Sequence, residues 1–203
     1  EVEFGQDHGE RFIMRGGEDY VDAGGGADLA RGGPGDDHLD GGAGKDRLFG
    51  QGGDDFLWGA GGADLLVGGK GGDLMAGRAG ADTLKGGGGE DGLYGDAGRD
   101  VLKGAAGSDI LDGGPGRDRI VTGAGFDGVF VSTGGGRDLI ADYAPEFDTL
   151  HLLGVADFSE VAIRGGARRT VVKIEGARIV LDGVARRLMD EEEINLIPPD
   201  ELA

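Results

Sequence analysis

Residues 32–58 read GGPGDDHLD, GGAGKDRLF and GQGGDDFLW, three consecutive nonapeptides that share one pattern. Glycine stands at the first and fourth positions of each nonapeptide, aspartate at the sixth and leucine at the eighth. A fixed short period is typical of repeat proteins, in which each unit forms the same small piece of structure and stacks on its neighbours. This repeat decides the fold, and its limits are found by following it in both directions.

The sixth-position aspartate recurs every nine residues from Asp19 to Asp127, thirteen times without a slip. A glycine lies two residues before each of these aspartates, and an apolar residue lies two residues after it. In the apolar series only Ala30 is small. The first glycine is kept from Gly32 to Gly113, whereas the second is replaced in several repeats. The strictest demands of the repeat therefore fall on its fourth and sixth positions.

The composition is far from that of an ordinary globular protein. The 203 residues include 48 glycines and no cysteine, and the net charge is −19. Glycine loses more backbone entropy on folding than other residues, and a strongly acidic chain repels itself when compact, so we expect a bound cation to complete the fold. Without cysteine there is neither a disulfide framework nor a thiolate metal site, so the cation must be bound by oxygen. The acidity also argues against nucleic acid as a partner.

Catalytic motifs are missing from the sequence. His8, His38 and His151 are too dispersed for a zinc site, and no serine stands in a Gly-x-Ser-x-Gly setting. We therefore predict no catalytic residue and no organic cofactor, and a catalytic domain would have to lie upstream of this chain. No apolar run approaches the length of a transmembrane helix, and the first residues lack the basic and apolar regions of a cleavable signal.

The nonapeptide resembles that of the RTX (repeat-in-toxin) family of bacterial calcium-binding proteins, over about residues 14–142. The resemblance implies an all-β fold, a right-handed parallel β-roll in which two nonapeptides form one coil of 18 residues. It also implies Ca²⁺ as the bound cation, the type I secretion machinery as a partner, and a secreted, extracellular or cell-surface location.

Within such a roll each nonapeptide is expected to supply a six-residue turn and a three-residue strand whose middle side chain points inward. Because successive turns lie on opposite edges, each aspartate stacks on the one eighteen residues away, which gives eleven pairs from Asp19/Asp37 to Asp109/Asp127. The stacked carboxylates would repel each other unless a Ca²⁺ ion, which takes about six to eight oxygen ligands, lay between the two members of each pair.

We therefore expect about 9 to 11 Ca²⁺ ions, since eleven would carry 22 positive charges against the net charge of −19. One further aspartate follows Asp127 at a spacing of eleven and is predicted as a last ligand. The predicted metal ligands are Asp19, Asp28, Asp37, Asp46, Asp55, Asp64, Asp73, Asp82, Asp91, Asp100, Asp109, Asp118, Asp127 and Asp138.

Three segments are predicted: a lead-in edge strand at 1–13, the calcium-binding β-roll at 14–142, and a β-rich capping segment at 143–203. In the last segment, alternating apolar runs at 148–153, 161–163, 170–174 and 178–181 predict antiparallel strands. Hairpin turns are expected at 165–168 and 175–177, and one helical turn is expected at 186–192. The last ten residues are a candidate secretion signal.

The sequence thus predicts a non-enzymatic calcium-binding module that folds when Ca²⁺ binds outside the cell. Two alternatives stay open. The chain is the non-catalytic C-terminal part of a secreted enzyme such as a protease, lipase or alginate epimerase, or it is an adhesin or surface-layer segment. In the second alternative calcium rigidifies a spacer or mediates self-association.

Overall fold

The computed structural model describes residues 1–132, 134–154, 162–166, 169–174, 177–182 and 194–197. These residues form strands and turns, with no helix among them and hence none that is long and apolar enough to cross a membrane. The chain winds as a parallel solenoid of 18 residues per coil, so the predicted all-β roll is confirmed.

Two long sheets form the flat sides of the roll, and strands are numbered in chain order. The first sheet contains, in spatial order, β1 (Val2–Phe4), β3 (Tyr20–Asp22), β6 (His38–Asp40), β9 (Phe56–Trp58), β12 (Leu74–Ala76), β15 (Gly92–Tyr94), β18 (Ile110–Asp112), β20 (Gly128–Ser132), β22 (Thr149–Leu153) and β26 (Ile194–Ile197). The second contains β2 (Arg11–Ile13), β5 (Leu29–Pro34), β8 (Arg47–Gly52), β11 (Leu65–Lys70), β14 (Thr83–Gly88), β17 (Val101–Ala106), β19 (Arg119–Ala124), β21 (Gly136–Ile140), β25 (Ala177–Asp182), β24 (Arg169–Ile174) and β23 (Ala162–Gly166).

A third set of two-residue strands runs along one edge of the roll, where the chain leaves the first sheet and enters the second. Its members are β4 (Gly25–Gly26), β7 (Ala43–Gly44), β10 (Gly61–Gly62), β13 (Ala79–Gly80) and β16 (Ala97–Gly98).

The register between coils is eighteen residues. Leu39 pairs with Leu57 in the first sheet, and Leu48 pairs with Leu66 in the second. The first sheet keeps three-residue strands from β3 to β18, as expected, but β5 to β19 of the second sheet run six residues. They are longer because the first residues of the following turn also pair with the next coil, as Gly69 does with Gly87.

The core is a thin double column of apolar side chains between the two sheets. In the regular coils the second residue of each strand points inward, and the leucines at this position are fully buried. Burying one such side chain contributes about 1.5 to 3 kcal/mol, and each coil adds only two. A roll of this kind has no large core and depends on its turns for the rest of its stability.

The C-terminal strands differ in part from their prediction. The strand at 148–153, predicted as antiparallel, is β22 and pairs parallel with β20, so that Leu150 lies beside Val129. It continues the stack because it keeps the inward apolar residue two positions after an aspartate. The predicted antiparallel hairpins are confirmed for β23, β24 and β25, with Gly166 paired to Arg169 and Ile174 paired to Ala177. The expected helical turn at 186–192 lies outside the described residues.

Residues 1–13 stack in the same way as the repeats. Strand β1 pairs parallel with β3 and β2 pairs parallel with β5, both at an offset of eighteen. This segment therefore forms a first coil of the roll, although it lacks the repeat sequence.

Candidate metal sites

The repeat aspartates form one column along each edge of the roll. Edge A, which leads into the first sheet, carries Asp19, Asp37, Asp55, Asp73, Asp91, Asp109 and Asp127. Edge B, which leads into the second sheet, carries Asp28, Asp46, Asp64, Asp82, Asp100, Asp118 and Asp138. All fourteen predicted ligands are at most 5% exposed, which is unusual for carboxylates that have no buried cationic side chain beside them.

A ladder of hydrogen bonds runs down each column through the Oδ1 atoms. The backbone N–H of Asp55 donates to Oδ1 of Asp73 at 2.9 Å, and that of Asp64 donates to Oδ1 of Asp82 at 2.8 Å. Bonds of this kind join six pairs on edge A and five on edge B, all eighteen residues apart. These are the eleven stacked pairs expected from the period.

The second carboxylate oxygen, Oδ2, has no hydrogen-bond partner in any of the thirteen repeats from Asp19 to Asp127, although it is buried. A buried carboxylate oxygen without a partner loses its hydration and gains nothing in return, so such atoms are rare unless a cation is bound. The first glycine of the repeat makes room for it, because a methyl group at Gly59 would stand 2.7 Å from Oδ2 of Asp64. The repeats from Gly32 to Gly113 therefore each hold a small cradle that a side chain at the first glycine would fill.

Backbone carbonyl oxygens lie beside these carboxylates. The point at which a methyl group would stand on Gly80 is 3.0 Å from Oδ1 of Asp82 and is blocked by the carbonyl oxygen of Gly62 in the preceding coil. The same arrangement recurs at Gly98 and Gly116. Carboxylate and carbonyl oxygens brought together in this way are the donor set that Ca²⁺ prefers.

No group of three or more His, Cys, Asp or Glu side chains that could hold a metal ion occurs among the described residues. A cation in these turns could not be held by side chains alone. It would need the two stacked aspartates together with backbone carbonyls, which suits calcium and does not suit zinc. The residues present therefore fit the ion that the repeat implies.

Burial raises the pKa of the carboxyl groups from Asp28 to Asp138 in the two columns. It raises the pKa of Asp73, Asp100 and Asp118 to about 7, because their charged forms lose hydration and the hydrogen bond from the neighbouring backbone N–H offsets this only in part. For the remaining members with a sizeable shift the pKa rises to about 6, and these are Asp46, Asp55, Asp64, Asp109, Asp127 and Asp138. Without a cation, these nine carboxyl groups therefore titrate at about pH 6 to 7, above the ordinary range of aspartate.

Asp138 continues edge B despite the irregular spacing before it. The backbone N–H of Asp118 donates to Oδ1 of Asp138 at 3.0 Å, although the two residues are twenty apart. The two extra residues are absorbed in β20, which is five residues long, so the insertion lengthens a strand and leaves the column intact.

Asp148 continues edge A and was missed by the sequence analysis. Its Oδ1 accepts from the backbone N–H of Asp127 at 3.3 Å. Unlike the repeat aspartates, it also uses Oδ2, which accepts from Thr122 Oγ1 at 3.1 Å and from the N–H of Ala144 at 2.8 Å. The signal that could have found it is Leu150 two residues later; the glycine two residues earlier is replaced by Glu146.

Glutamates occupy the aspartate position in the first coil. The backbone N–H of Glu10 donates to Oδ1 of Asp28 at 2.6 Å, which places Glu10 at the head of edge B. The amino group of Glu1 contacts Oδ1 of Asp19 at the head of edge A. The sequence analysis missed both, since neither is preceded by the glycine of the repeat.

A family model described as the RTX calcium-binding nonapeptide repeat (4 copies) matches residues 15–48, 31–66, 40–75, 67–102 and 94–129, which together cover more than half of the chain. No curated protein sequence matches the chain.

Two solved structures are similar in fold. One is the extracellular lipase LipA from Serratia marcescens, at 19% identity and a TM-score of 0.38, aligned over 88% of this chain and 40% of the lipase. The other is the AlgE6R3 subunit of the Azotobacter vinelandii mannuronan C5-epimerase, at 24% identity and a TM-score of 0.42, aligned over 66% of this chain and 77% of that one. The chain therefore spans 40% of the length of the lipase.

Proposed function

This chain belongs to the family of RTX calcium-binding nonapeptide repeat proteins, and we propose that its roll folds only as Ca²⁺ ions fill the turns along both edges. The observation that supports this most directly is the set of thirteen buried Oδ2 atoms without a hydrogen-bond partner. An apolar core of two side chains per coil cannot offset so many buried and unsatisfied carboxylates. Cation binding supplies the missing stabilisation.

The ligands of each ion are two stacked aspartates and the backbone carbonyls of their turns. On edge B, for example, Asp64 and Asp82 would share an ion with carbonyl oxygens such as that of Gly62. Eleven regular pairs give about 9 to 11 ions. Eleven ions would bring the net charge of −19 close to neutrality.

The binding free energy of these ions becomes folding free energy, because the sites do not exist in the unfolded chain. Extracellular calcium modules bind with dissociation constants of about 10⁻⁴ to 10⁻³ M, well above the calcium level of a cytosol. The chain is then unfolded inside the cell and folded outside it. An unfolded state before export suits passage through type I secretion machinery, and the folded state suits an extracellular protein.

Within this function residues 14–142 bind calcium and residues 143–203 close the stack. Beyond the repeats, β22 and β26 extend the first sheet, and β25, β24 and β23 extend the second. Repeat stacks need such end units, because the last apolar layer would otherwise be exposed to water.

Circular dichroism and isothermal titration calorimetry test the proposal on the whole chain. In EDTA the spectrum should be that of a disordered chain, and added Ca²⁺ should produce β-structure with uptake of about 9 to 11 ions. Mg²⁺ at the same concentration serves as the control and should not fold the chain, because it demands octahedral geometry and dehydrates reluctantly. A fully β-structured chain in EDTA, or one that takes up no Ca²⁺, would contradict the proposal.

A further inference from the structure

The outer face of the second sheet carries positive charge although the chain as a whole is strongly acidic. The side chains that point outward from β2 to β19 are the first and third residues of each strand. Six of them are cationic, one on every strand except β11, and in this described stretch none is acidic. We call these six the cationic face: Arg11, Arg31, Arg47, Lys85, Lys103 and Arg119.

The first sheet shows the opposite distribution. The outward residues of its described strands from β1 to β22 include no Lys or Arg, and they include Asp22, Asp40 and Asp112. The two edges differ in the same sense. At the fifth position of the repeat, edge A carries Glu18, Asp36, Asp54 and Glu90, whereas edge B, next to the cationic face, carries Lys45, Arg99, Arg117 and Arg137. Charge is thus segregated by side, which the calcium sites do not require.

The charges of the cationic face are not neutralised within the protein. All six side chains are exposed, and in the described part of the chain none of them forms an ion pair with a carboxylate. Lys85 and Lys103 lie directly opposite each other on adjacent strands, an arrangement that destabilises a sheet. The guanidinium groups of Arg31 and Arg47 each lie 5.6 Å from the ring centre of Phe49, so one aromatic ring contacts two cations of the face.

A shallow groove crosses this face at β11, whose first and third residues, Leu65 and Val67, are uncharged. It has a volume of about 470 Å³ and is lined by Lys45 and Arg47 on one side, by Leu65 of β11 and the small Ala63 on its floor, and by Thr83 on the other side. Neighbouring strands lie about 4.8 Å apart, so the seven strands from β2 to β19 form a strip about 29 Å long. The strip is only two side chains wide.

We propose that the cationic face binds a linear acidic polysaccharide, laid along the roll across the strands. A strip that is long, narrow and flat accommodates a single extended chain, and cations at nearly every strand match a polymer with acidic groups at regular intervals. A nucleic acid duplex is far wider than the strip, and its dense phosphates would face the acidic residues of edge A. Sugars also offer apolar ring faces to Phe49 and to the groove floor.

This binding goes beyond calcium uptake but requires it. The face exists only when the coils are stacked, and the groove is also lined by Asp46 and Asp64, whose charges repel a polyanion until a cation neutralises them. We therefore expect polysaccharide binding in Ca²⁺ and none in EDTA. Circular dichroism on the same samples shows separately whether the roll has folded, so a folding failure is distinguished from a binding failure.

The test compares two triple variants with the same change in net charge. The face variant carries Arg47→Gln, Lys85→Gln and Lys103→Gln, and the control variant carries Arg15→Gln, Lys70→Gln and Arg78→Gln, which lie on the roll but off the face. Glutamine is compatible with the backbone at Arg78, where φ is +68°, because Gln51 occupies the equivalent position at φ +84°. The probes are hyaluronate for carboxylates, heparin for sulfates, neutral dextran and single-stranded DNA, each titrated in Ca²⁺ at low and high salt.

We expect hyaluronate or heparin to bind the natural chain and the control variant with similar affinity. Binding to the face variant should be at least about tenfold weaker. Binding to all three chains should weaken at high salt, because salt screens the charges. Dextran should not bind. Comparing hyaluronate with heparin decides between carboxylate and sulfate as the acidic group. Three results would overturn the proposal. The two variants could bind the acidic polysaccharides equally well, or neither hyaluronate nor heparin could bind the folded roll. The third is that single-stranded DNA binds more tightly than both hyaluronate and heparin.

Discussion

Each repeat aspartate divides its function between its two carboxylate oxygens. Oδ1 receives the backbone N–H of the preceding coil and therefore fixes the turn, whereas Oδ2 is left buried and without a partner. Asparagine keeps an oxygen of the same shape at Oδ1 but loses the negative charge. A single Asp→Asn substitution can therefore separate the structural contribution of an aspartate from its contribution to cation binding.

Asp73→Asn is expected to weaken the two ion sites that Asp73 would share with Asp55 and Asp91 on edge A. Calorimetry should show about two fewer tightly bound ions, since each site loses one of its two carboxylates. Hydrogen exchange should rise at the amide of Asp55 much more than at that of Asp64 on edge B. Asp54→Asn is the matched control, because Asp54 is exposed on the same edge and the change in charge is identical. Equal loss on both edges would show that the columns are not independent.

The glycine at the fourth position of the repeat is needed for close contact between coils. Gly71 has φ +115°, and a methyl group there would collide with the carbonyl oxygen of Gly53. Gly71→Ala should lower the free energy of unfolding in Ca²⁺ by at least about 2 kcal/mol, from backbone strain and from separation of the turns. Gly88→Ala is the control, because a methyl group there meets no atom within 4 Å. Thermal unfolding of both variants in Ca²⁺ measures the difference in stability. If both variants lose a similar amount of stability, close contact between coils is not the reason that glycine recurs at this position of the repeat.

At the scale of the strand, the irregular end of the stack differs from the regular turns. Its aspartate forms hydrogen bonds with both carboxylate oxygens, whereas each repeat aspartate leaves Oδ2 without a partner. Asp148 takes the next place on edge A, but both of its oxygens are used, by Asp127, Thr122 and Ala144. The hydroxyl of Tyr143 also donates to its backbone carbonyl at 3.0 Å. The last turn of edge A is therefore complete in the absence of an ion, unlike the turns before it.

Asp148→Ala should destabilise the folded roll by about 1 to 3 kcal/mol, because buried donors lose their acceptor, and should leave the number of tightly bound Ca²⁺ ions unchanged. Calorimetry gives the ion count, and thermal unfolding in saturating Ca²⁺ gives the stability. Asp109→Ala, in a regular turn of the same edge, is the comparison and should reduce both. A loss of ions in Asp148→Ala equal to that in Asp109→Ala would make Asp148 a ligand.

The regular strands and columns could be predicted from the sequence because a period of nine leaves one way to stack the coils. The direction of β22 could not be predicted by the same means. Alternation of apolar residues at 148–153 is the same for parallel and antiparallel strands, and only the aspartate before it, without its glycine, marked the continuation of the roll. Likewise the six-residue strands of the second sheet depend on pairing between turns, which no local pattern reports.

At the scale of the whole molecule, the two columns make the stability of the metal-free roll depend on pH. Burial raises the pKa to about 7 for Asp73, Asp100 and Asp118, and to about 6 for others such as Asp46 and Asp55. A raised pKa in the folded state means that the folded form binds protons more tightly than the unfolded chain. The stability contributed by these groups is fully present below the ordinary aspartate pKa and is lost as the pH rises through about 6 to 7.

In EDTA, lowering the pH from 8 to 5 should therefore increase the β-structure measured by circular dichroism, because protons partly replace the missing cation. In Ca²⁺ the trend reverses, since protons compete with the metal for the same oxygens and the calcium affinity should fall below about pH 6. A double variant with Glu3→Gln and Asp7→Asn, both exposed in the first coil, is the control and should show the same midpoint. Loss of β-structure on acidification in EDTA would contradict this prediction.

The coil of eighteen residues has a mechanical consequence. A fully extended chain of that length spans about 60 Å, whereas one folded coil lengthens the roll by only about 4.8 Å. Each coil that closes in a stretched chain therefore shortens the span of its own eighteen residues more than tenfold. Because closing requires ions in the turns, calcium concentration sets the length of the polypeptide, and a tether made of this sequence would contract as calcium rises.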